Sequence, residues 1–167
     1  LEAHAEELAC LQTLETGHAL AYLSRGDVGA CIDMLRMFAG LGGELKGRTV
    51  PDLPGLLHYT TCEPPGVVGA VIPWNGPVFT MSAKIGPSIM AGNTLVIKTA
   101  EEAPLSVLRA CELLQSVLPA GVINVISGFG EEAGKPLAEH PKVRKVTFTG
   151  SVPVGQKIVH YAADKLV

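Results

Sequence analysis

From Gly66 onward, short runs rich in Val and Ile alternate with longer runs whose apolar residues recur at helical spacing. The short runs, Val67–Ile72, Thr94–Lys98, Val122–Ile126 and Lys145–Phe148, predict strands; the longer ones, Pro77–Met90, Pro104–Val117, Glu131–His140 and Pro153–Ala163, predict helices. Continuously apolar strands separated by helices of this length predict parallel strands covered on both faces and joined by right-handed crossovers. The expected fold class is therefore α/β, a doubly wound parallel sheet. Punctuation agrees with that parse. Pro104 suits a first helical position with Glu101 and Glu102 just ahead, and Ala91-Gly92-Asn93 and Leu118-Pro119-Ala120-Gly121 end the helices before them.

The N-terminal region has a different pattern. Leu1–Leu23 and Asp27–Ala39 carry Leu, Ala, Ile and Met at helical spacing and are parted by Ser24-Arg25-Gly26, which predicts two packed helices ahead of the sheet. The Gly- and Pro-marked stretch that follows holds one plausible strand, Leu56–Cys62. Pro64-Pro65 turns the chain before it can join the parallel sheet, so this strand is expected to form an arm or hairpin facing another element. The organisation expected is two helices over residues 1–45, an arm over 46–64 and an α/β core over 65–167.

Hydrophobic residues make up 47% of the 167 residues and charged ones 17%, and mean hydropathy is +0.32. This is more apolar surface than a domain surrounded by solvent needs, so contact with a further domain or subunit is expected. No apolar run approaches the ~20 residues that cross a bilayer, and Leu1-Glu2-Ala3-His4 does not open like a signal peptide. A formal net charge of −3 with scattered basic residues argues against a nucleic-acid partner. Cys10, Cys31, Cys62 and Cys111 form no C-x-x-C pair and have no His at ligand spacing, which reads as buried reduced thiols in a cytoplasmic protein without a metal centre.

Polar residues with chemical potential fall where the strands end, which is where an open parallel sheet binds ligands. In Ile72-Pro73-Trp74-Asn75 the ladder stops and Asn75 is left in a loop, either as a turn residue or as an amide donor to a carbonyl oxygen that develops negative charge. Lys98 and Glu101, three residues apart, suit either a ribose diol or a plain surface Lys and helix-start Glu. Ser127-Gly128-Phe129-Gly130 misses the G-x-G-x-x-G spacing by one residue, and Glu131 and Glu132 would repel a pyrophosphate, so it reads as the wall of an adenosine pocket. Phe148-Thr149-Gly150-Ser151 opens a helix whose free N–H groups suit a pyrophosphate, with a simple capping Ser as the alternative.

Four blocks in this order resemble the cofactor-binding half of the NAD(P)-dependent aldehyde dehydrogenase superfamily. They are Gly66-Val67-Val68-Gly69-Ala70-Val71-Ile72-Pro73-Trp74-Asn75, Ala91-Gly92-Asn93-Thr94-Leu95-Val96-Ile97-Lys98, Pro119-Ala120-Gly121-Val122-Ile123-Asn124-Val125-Ile126 and Phe148-Thr149-Gly150-Ser151. Leu14-Glu15-Thr16-Gly17 and Gly43 to Val50 resemble weaker stretches of the same family. The resemblance implies a Rossmann-like domain that binds NAD, with NADP as the alternative, in an enzyme oxidising an aldehyde to a carboxylic acid.

It further implies that Asn75 donates to a thiohemiacetal oxyanion and that Lys98 and Glu101 bind the adenosine ribose. Gly150 and Ser151 would meet the pyrophosphate, Gly130 would lie by the adenine, and Trp74 would line the aldehyde and nicotinamide cleft. Ile72, Pro73, Phe148 and Val154 complete the expected cofactor-binding set. Glu101 would favour NAD by repelling a 2′-phosphate, which Lys98 would attract. Leu56–Cys62 would belong to an arm used in homo-oligomer assembly. The family's nucleophilic Cys and general-base Glu would lie beyond Lys165-Leu166-Val167, so the catalytic domain is expected to be absent from this chain. A noncatalytic dinucleotide-binding or structural module is the alternative reading.

Overall fold

The computed structural model describes residues 1–51 and 54–163; Asp52 and Leu53 of the expected arm, and Lys165-Leu166-Val167, lie outside the described residues. Four parallel strands form the centre: β3 (Val67–Val71), β4 (Thr94–Lys98), β5 (Ile123–Ile126) and β6 (Val143–Phe148). They follow a two-residue hairpin pair, β1 (Thr49–Val50) and β2 (His58–Tyr59). The sheet order is β5-β4-β3-β6, so the chain steps outward from β3 to β5 and then returns to the other side of β3. That reversal leaves a crevice at the carboxyl ends of β3 and β6.

Alternation along the strands divides their side chains between two cores. Val68, Ala70 and Ile72 join Leu95, Ile97 and Ile123 on one face. There they meet α3 (Pro77–Met90) and α4 (Leu105–Gln115), with α1 (Ala5–Thr16) packed on α4 and α2 (Arg25–Gly40) packed on α3. Val71 and Val143 turn to the opposite face, where α5 (Lys135–Glu139) and α6 (Val152–Ala162) supply Leu137, Ala138 and Ile158. Gly69 allows α5 to approach, because a Cβ there would lie 3.1 Å from Val143 and 3.2 Å from Leu137.

Several boundaries differ from the sequence expectation. The first helix stops at Thr16, where Gly17 takes φ +75° and its N–H donates to the Thr13 carbonyl. Ser24-Arg25-Gly26, expected as the break, is instead continuous helix: a π turn over Leu20–Ser24 runs directly into α2. Glu131–His140 divides into a π turn over Gly130–Gly134 and the short α5. The expected arm strand Leu56–Cys62 contracts to His58–Tyr59. Pro104 sits at the cap of α4 rather than inside it, while β6 begins two residues earlier than expected, with an irregular register where it meets Val67 and Val68 of β3.

The cap of α4 comes from a distant segment. The Glu15 carboxylate at the end of α1 accepts from the Leu105 N–H at 2.6 Å and the Ser106 N–H at 3.0 Å, and also from the Ser106 hydroxyl. A carboxylate suits the positive end of the helix dipole. Among the described residues no helix is long and apolar enough to cross a membrane.

Candidate functional site

A cleft of about 460 Å³ lies at the carboxyl ends of the strands, a size typical of small-molecule sites. The end of β3 contributes Ile72, Pro73 and Trp74, the end of β4 contributes Lys98 and Glu101, and the turn after β5 contributes Gly130. Phe148, Gly150, Ser151 and Val154 reach it from the end of β6 and the first turn of α6. These ten residues are separated by up to 82 positions in the chain and meet because parallel strands deliver all their carboxyl ends to one edge. Asn75 is exposed and stands outside the residues that line the cleft.

Lys98 is only 3% exposed, and its ammonium donates to Glu101 at 2.7 Å. The Lys98 ammonium holds the Glu101 carboxyl below the usual carboxylate range, against a smaller opposing effect of burial. The Glu101 carboxylate is therefore ionised at neutral pH, and the pair presents donors and acceptors side by side. An ammonium uses one of its three donors in this bond, and a carboxylate keeps lone pairs to spare, so both retain capacity for a vicinal diol.

Ser151 caps α6 with an extended backbone (φ −73°, ψ 152°), yet its hydroxyl makes no capping hydrogen bond. Gly155 N–H donates to the Ser151 carbonyl at 2.9 Å, which starts the helical ladder. Ser151 lines the cleft, so its hydroxyl and the positive end of the helix dipole lie together at that end of α6, an arrangement suited to a phosphate group. Gly150 must lack a side chain there, because a Cβ would lie 2.6 Å from the Phe148 ring. Phe148 tucks between Gly150 and Gly155 and braces the turn.

Several lining residues lie outside the expected set. Lys157, Ile158 and Tyr161 follow Val154 on α6 and Lys135 belongs to the segment after β5, none of them singled out by sequence; Glu131, read from the sequence as part of a pocket wall, lines the cleft with them. The signal for those on α6 was present: positions 154, 157, 158 and 161 lie on one helical face. Lys157 donates to Glu131 at 3.1 Å and the Tyr161 hydroxyl donates to the other Glu131 oxygen at 3.1 Å. The Lys157 ammonium, with Tyr161 assisting, holds the Glu131 carboxyl below its ordinary range.

The four cysteines are free thiols, but only Cys31 and Cys111 are buried as expected; Cys10 is half-buried and Cys62, beside the short hairpin, is exposed. Burial pushes the Cys31 thiol up to about 11 and the Cys111 thiol up to about 12, so both stay protonated and poorly nucleophilic at neutral pH.

Comparison with known proteins adds three findings. The model of the aldehyde dehydrogenase family matches residues 1–167. An aldehyde dehydrogenase of Emericella nidulans is 45% identical over 164 residues, covering 98% of this chain and 33% of that protein, and a phenylacetaldehyde dehydrogenase of Pseudomonas fluorescens is 47% identical over 165 residues, covering 95% and 33%. The NAD+ complex of aldehyde dehydrogenase from Bacillus cereus superposes with a TM-score of 0.96 at 40% identity, over 99% of this chain and 34% of that one. The chain thus spans about a third of the length of the relatives it matches.

Proposed function

The chain belongs to the aldehyde dehydrogenase family, and on that premise we propose that it forms the nicotinamide-dinucleotide site of an enzyme that oxidises an aldehyde to a carboxylic acid. The observation that carries this reading is the convergence on one cleft of the buried Lys98–Glu101 pair, the uncapped Ser151 hydroxyl and the Ile72-Pro73-Trp74 strand end. NAD, when bound, supplies the acceptor for the hydride that leaves the substrate carbon.

In this reading Lys98 donates to a ribose hydroxyl and Glu101 accepts from its neighbour. Gly150 and Ser151 hold the pyrophosphate at the start of α6, Gly130 walls the adenine, and Phe148 and Val154 pack beneath. Ile72, Pro73 and Trp74 border the nicotinamide end. Asn75, exposed just past that strand end, serves as the amide donor to the oxyanion formed during acyl transfer. None of the four cysteines lines the cleft, and Cys31 and Cys111 are in addition buried and protonated, so none of them is assigned as the nucleophilic thiol.

The ionised Glu101 favours NAD, because a 2′-phosphate beside it meets like charge. The hairpin of β1 and β2, with Leu56, Leu57 and Tyr59 exposed, is the surface for homo-oligomer assembly, and the free thiols suit a cytoplasmic setting.

Calorimetric titration of NAD tests the site. Lys98→Met and Glu101→Gln should each weaken binding about ten- to a hundred-fold, the worth of a hydrogen bond to a charged group. Unchanged affinity in both variants would sink the ribose assignment.

A further inference from the structure

The far wall of the cleft carries a network that the proposed function leaves unused. Past Lys98 and Glu101 the cleft is walled by the turn after β5 and by α6. With the pyrophosphate at the start of α6 and the ribose at Lys98 and Glu101, the base would lie between these two walls. The turn after β5 contributes Glu131, and α6 reaches across to it through Lys157 and Tyr161. Resting on the dinucleotide reading above, we infer that Glu131 and Lys157 form an acceptor–donor pair that reads the amino edge of an adenine base, making this wall a determinant of purine specificity.

The chemistry of the pair fits that edge. Glu131 Oε1 and Lys157 Nζ lie 3.1 Å apart, a hydrogen-bonded acceptor and donor side by side. Adenine presents the complement on its N7 edge: the N6 amino group donates and N7 accepts, whereas on a 6-oxo purine both groups of that edge accept. Both Glu131 oxygens are already engaged within the protein, yet a carboxylate has about four lone-pair sites and an ammonium has three donors, so each partner retains capacity.

Tyr161 and Lys157 hold the carboxylate in place at 3.1 Å each, so the acceptor is positioned before the base arrives. The Lys135 ammonium lies 5.4 Å from the centre of the Tyr161 ring. It covers that ring face and leaves the polar edge, more than stacking on Tyr161, to select the base.

A 6-oxo purine inverts the match. Hypoxanthine replaces the N6 donor with a carbonyl oxygen, which would face the Glu131 carboxylate acceptor to acceptor. Because Glu131 and Lys157 are 62% and 60% exposed, solvent softens the penalty, and the discrimination expected is about ten-fold, the lower end for a paired base contact.

Isothermal titration of the purified protein with NAD and with nicotinamide hypoxanthine dinucleotide tests this. NAD should bind about ten-fold more tightly, and Glu131→Gln, whose amide both donates and accepts, should erase most of the preference. Lys157→Met should weaken NAD and narrow the same ratio; both positions are exposed, and circular dichroism checks that the fold is kept. Equal affinity of the two dinucleotides for the unmodified protein, or a preference undiminished in Glu131→Gln, overturns the inference while leaving the cofactor reading intact. Binding of neither dinucleotide overturns both.

Discussion

The two faces of the sheet are built to different depths. On one, α3 and α4 cover the strands and α1 and α2 cover those helices in turn, and Leu8, Val28, Met81, Ile85, Leu95, Ile97 and Val107 are sealed almost completely from solvent. Some polar groups caught there are bonded, Gln12 donating to Asp27 at 2.7 Å and Thr13 to Ser24 at 2.8 Å, while the Gln12 amide oxygen has no partner among the described residues. The other face has a single helical layer, a five-residue α5, a π turn and α6, around the smaller cluster of Val71, Leu137, Ala138, Val143 and Ile158. The same strands serve both because their side chains alternate. The thick face holds the larger sealed core, and the thin one leaves the strand ends open enough to form the cleft.

This contrast orders the mutational effects. Leu95→Ala on the thick face should cost about 3–5 kcal/mol, since a sealed site cannot collapse around the lost atoms, whereas Ile158→Ala on the thin face should cost about 2 kcal/mol. Urea denaturation measures both. An Ile158→Ala penalty equal to or above that of Leu95→Ala would break the comparison, because the thin face would then carry as much of the fold.

A second substitution should separate binding from stability. Gly150→Ala places a Cβ against the Phe148 ring, 2.6 Å from its tip, so the ring or the turn before α6 must shift. Overpacking of this kind costs about 1–3 kcal/mol, and the displaced turn should carry Ser151 away from the phosphate position. NAD affinity measured by titration should fall at least about ten-fold, a displacement penalty of about 1.4 kcal/mol. Leu95→Ala, which costs more stability, should leave that affinity nearly unchanged in the folded protein. If the two variants lost affinity in parallel, the faces would not be separable.

The fold was legible wherever one element carried its own signal. Val67–Ile72 and Thr94–Lys98 announced themselves as apolar runs closed by polar residues, and the structure ends them within one residue of expectation. The strand-end residues followed, because parallel topology sends every carboxyl end to one edge. What escaped was decided by contacts between segments. Ser24-Arg25-Gly26 has the composition of a turn, but the Ser24 hydroxyl accepts from Thr13 and the adjacent Asp27 from Gln12, and these bonds to α1 hold the segment in continuous helix. Gly17, which does stop the helix, carries no stronger compositional signal than Gly26. Glu131 is legible as part of a pocket wall, but its pairing with Lys157 and Tyr161 is hidden, since they lie 26 and 30 positions away and no local pattern links them.

The smallest effect concerns another contact of this kind. Glu15 caps α4 across 90 positions of sequence, accepting from Leu105 and Ser106, and so ties the outer helical layer of the thick face to the start of the helix beneath it. Glu15→Ala removes both acceptor and charge and should cost about 1 kcal/mol, as losses of helix caps do. Glu15→Gln keeps an acceptor oxygen and loses the favourable charge at the positive end of the helix, which should cost about 0.5 kcal/mol. Since Glu15 lies on the thick face and away from the cleft-lining residues, NAD affinity should not change in either variant. A cost that is equal for Gln and Ala would assign the whole effect to charge, while a cost confined to Ala would assign it to the hydrogen bonds. Either result sharpens the account of how a helix outside the sheet steadies one face without reaching the other.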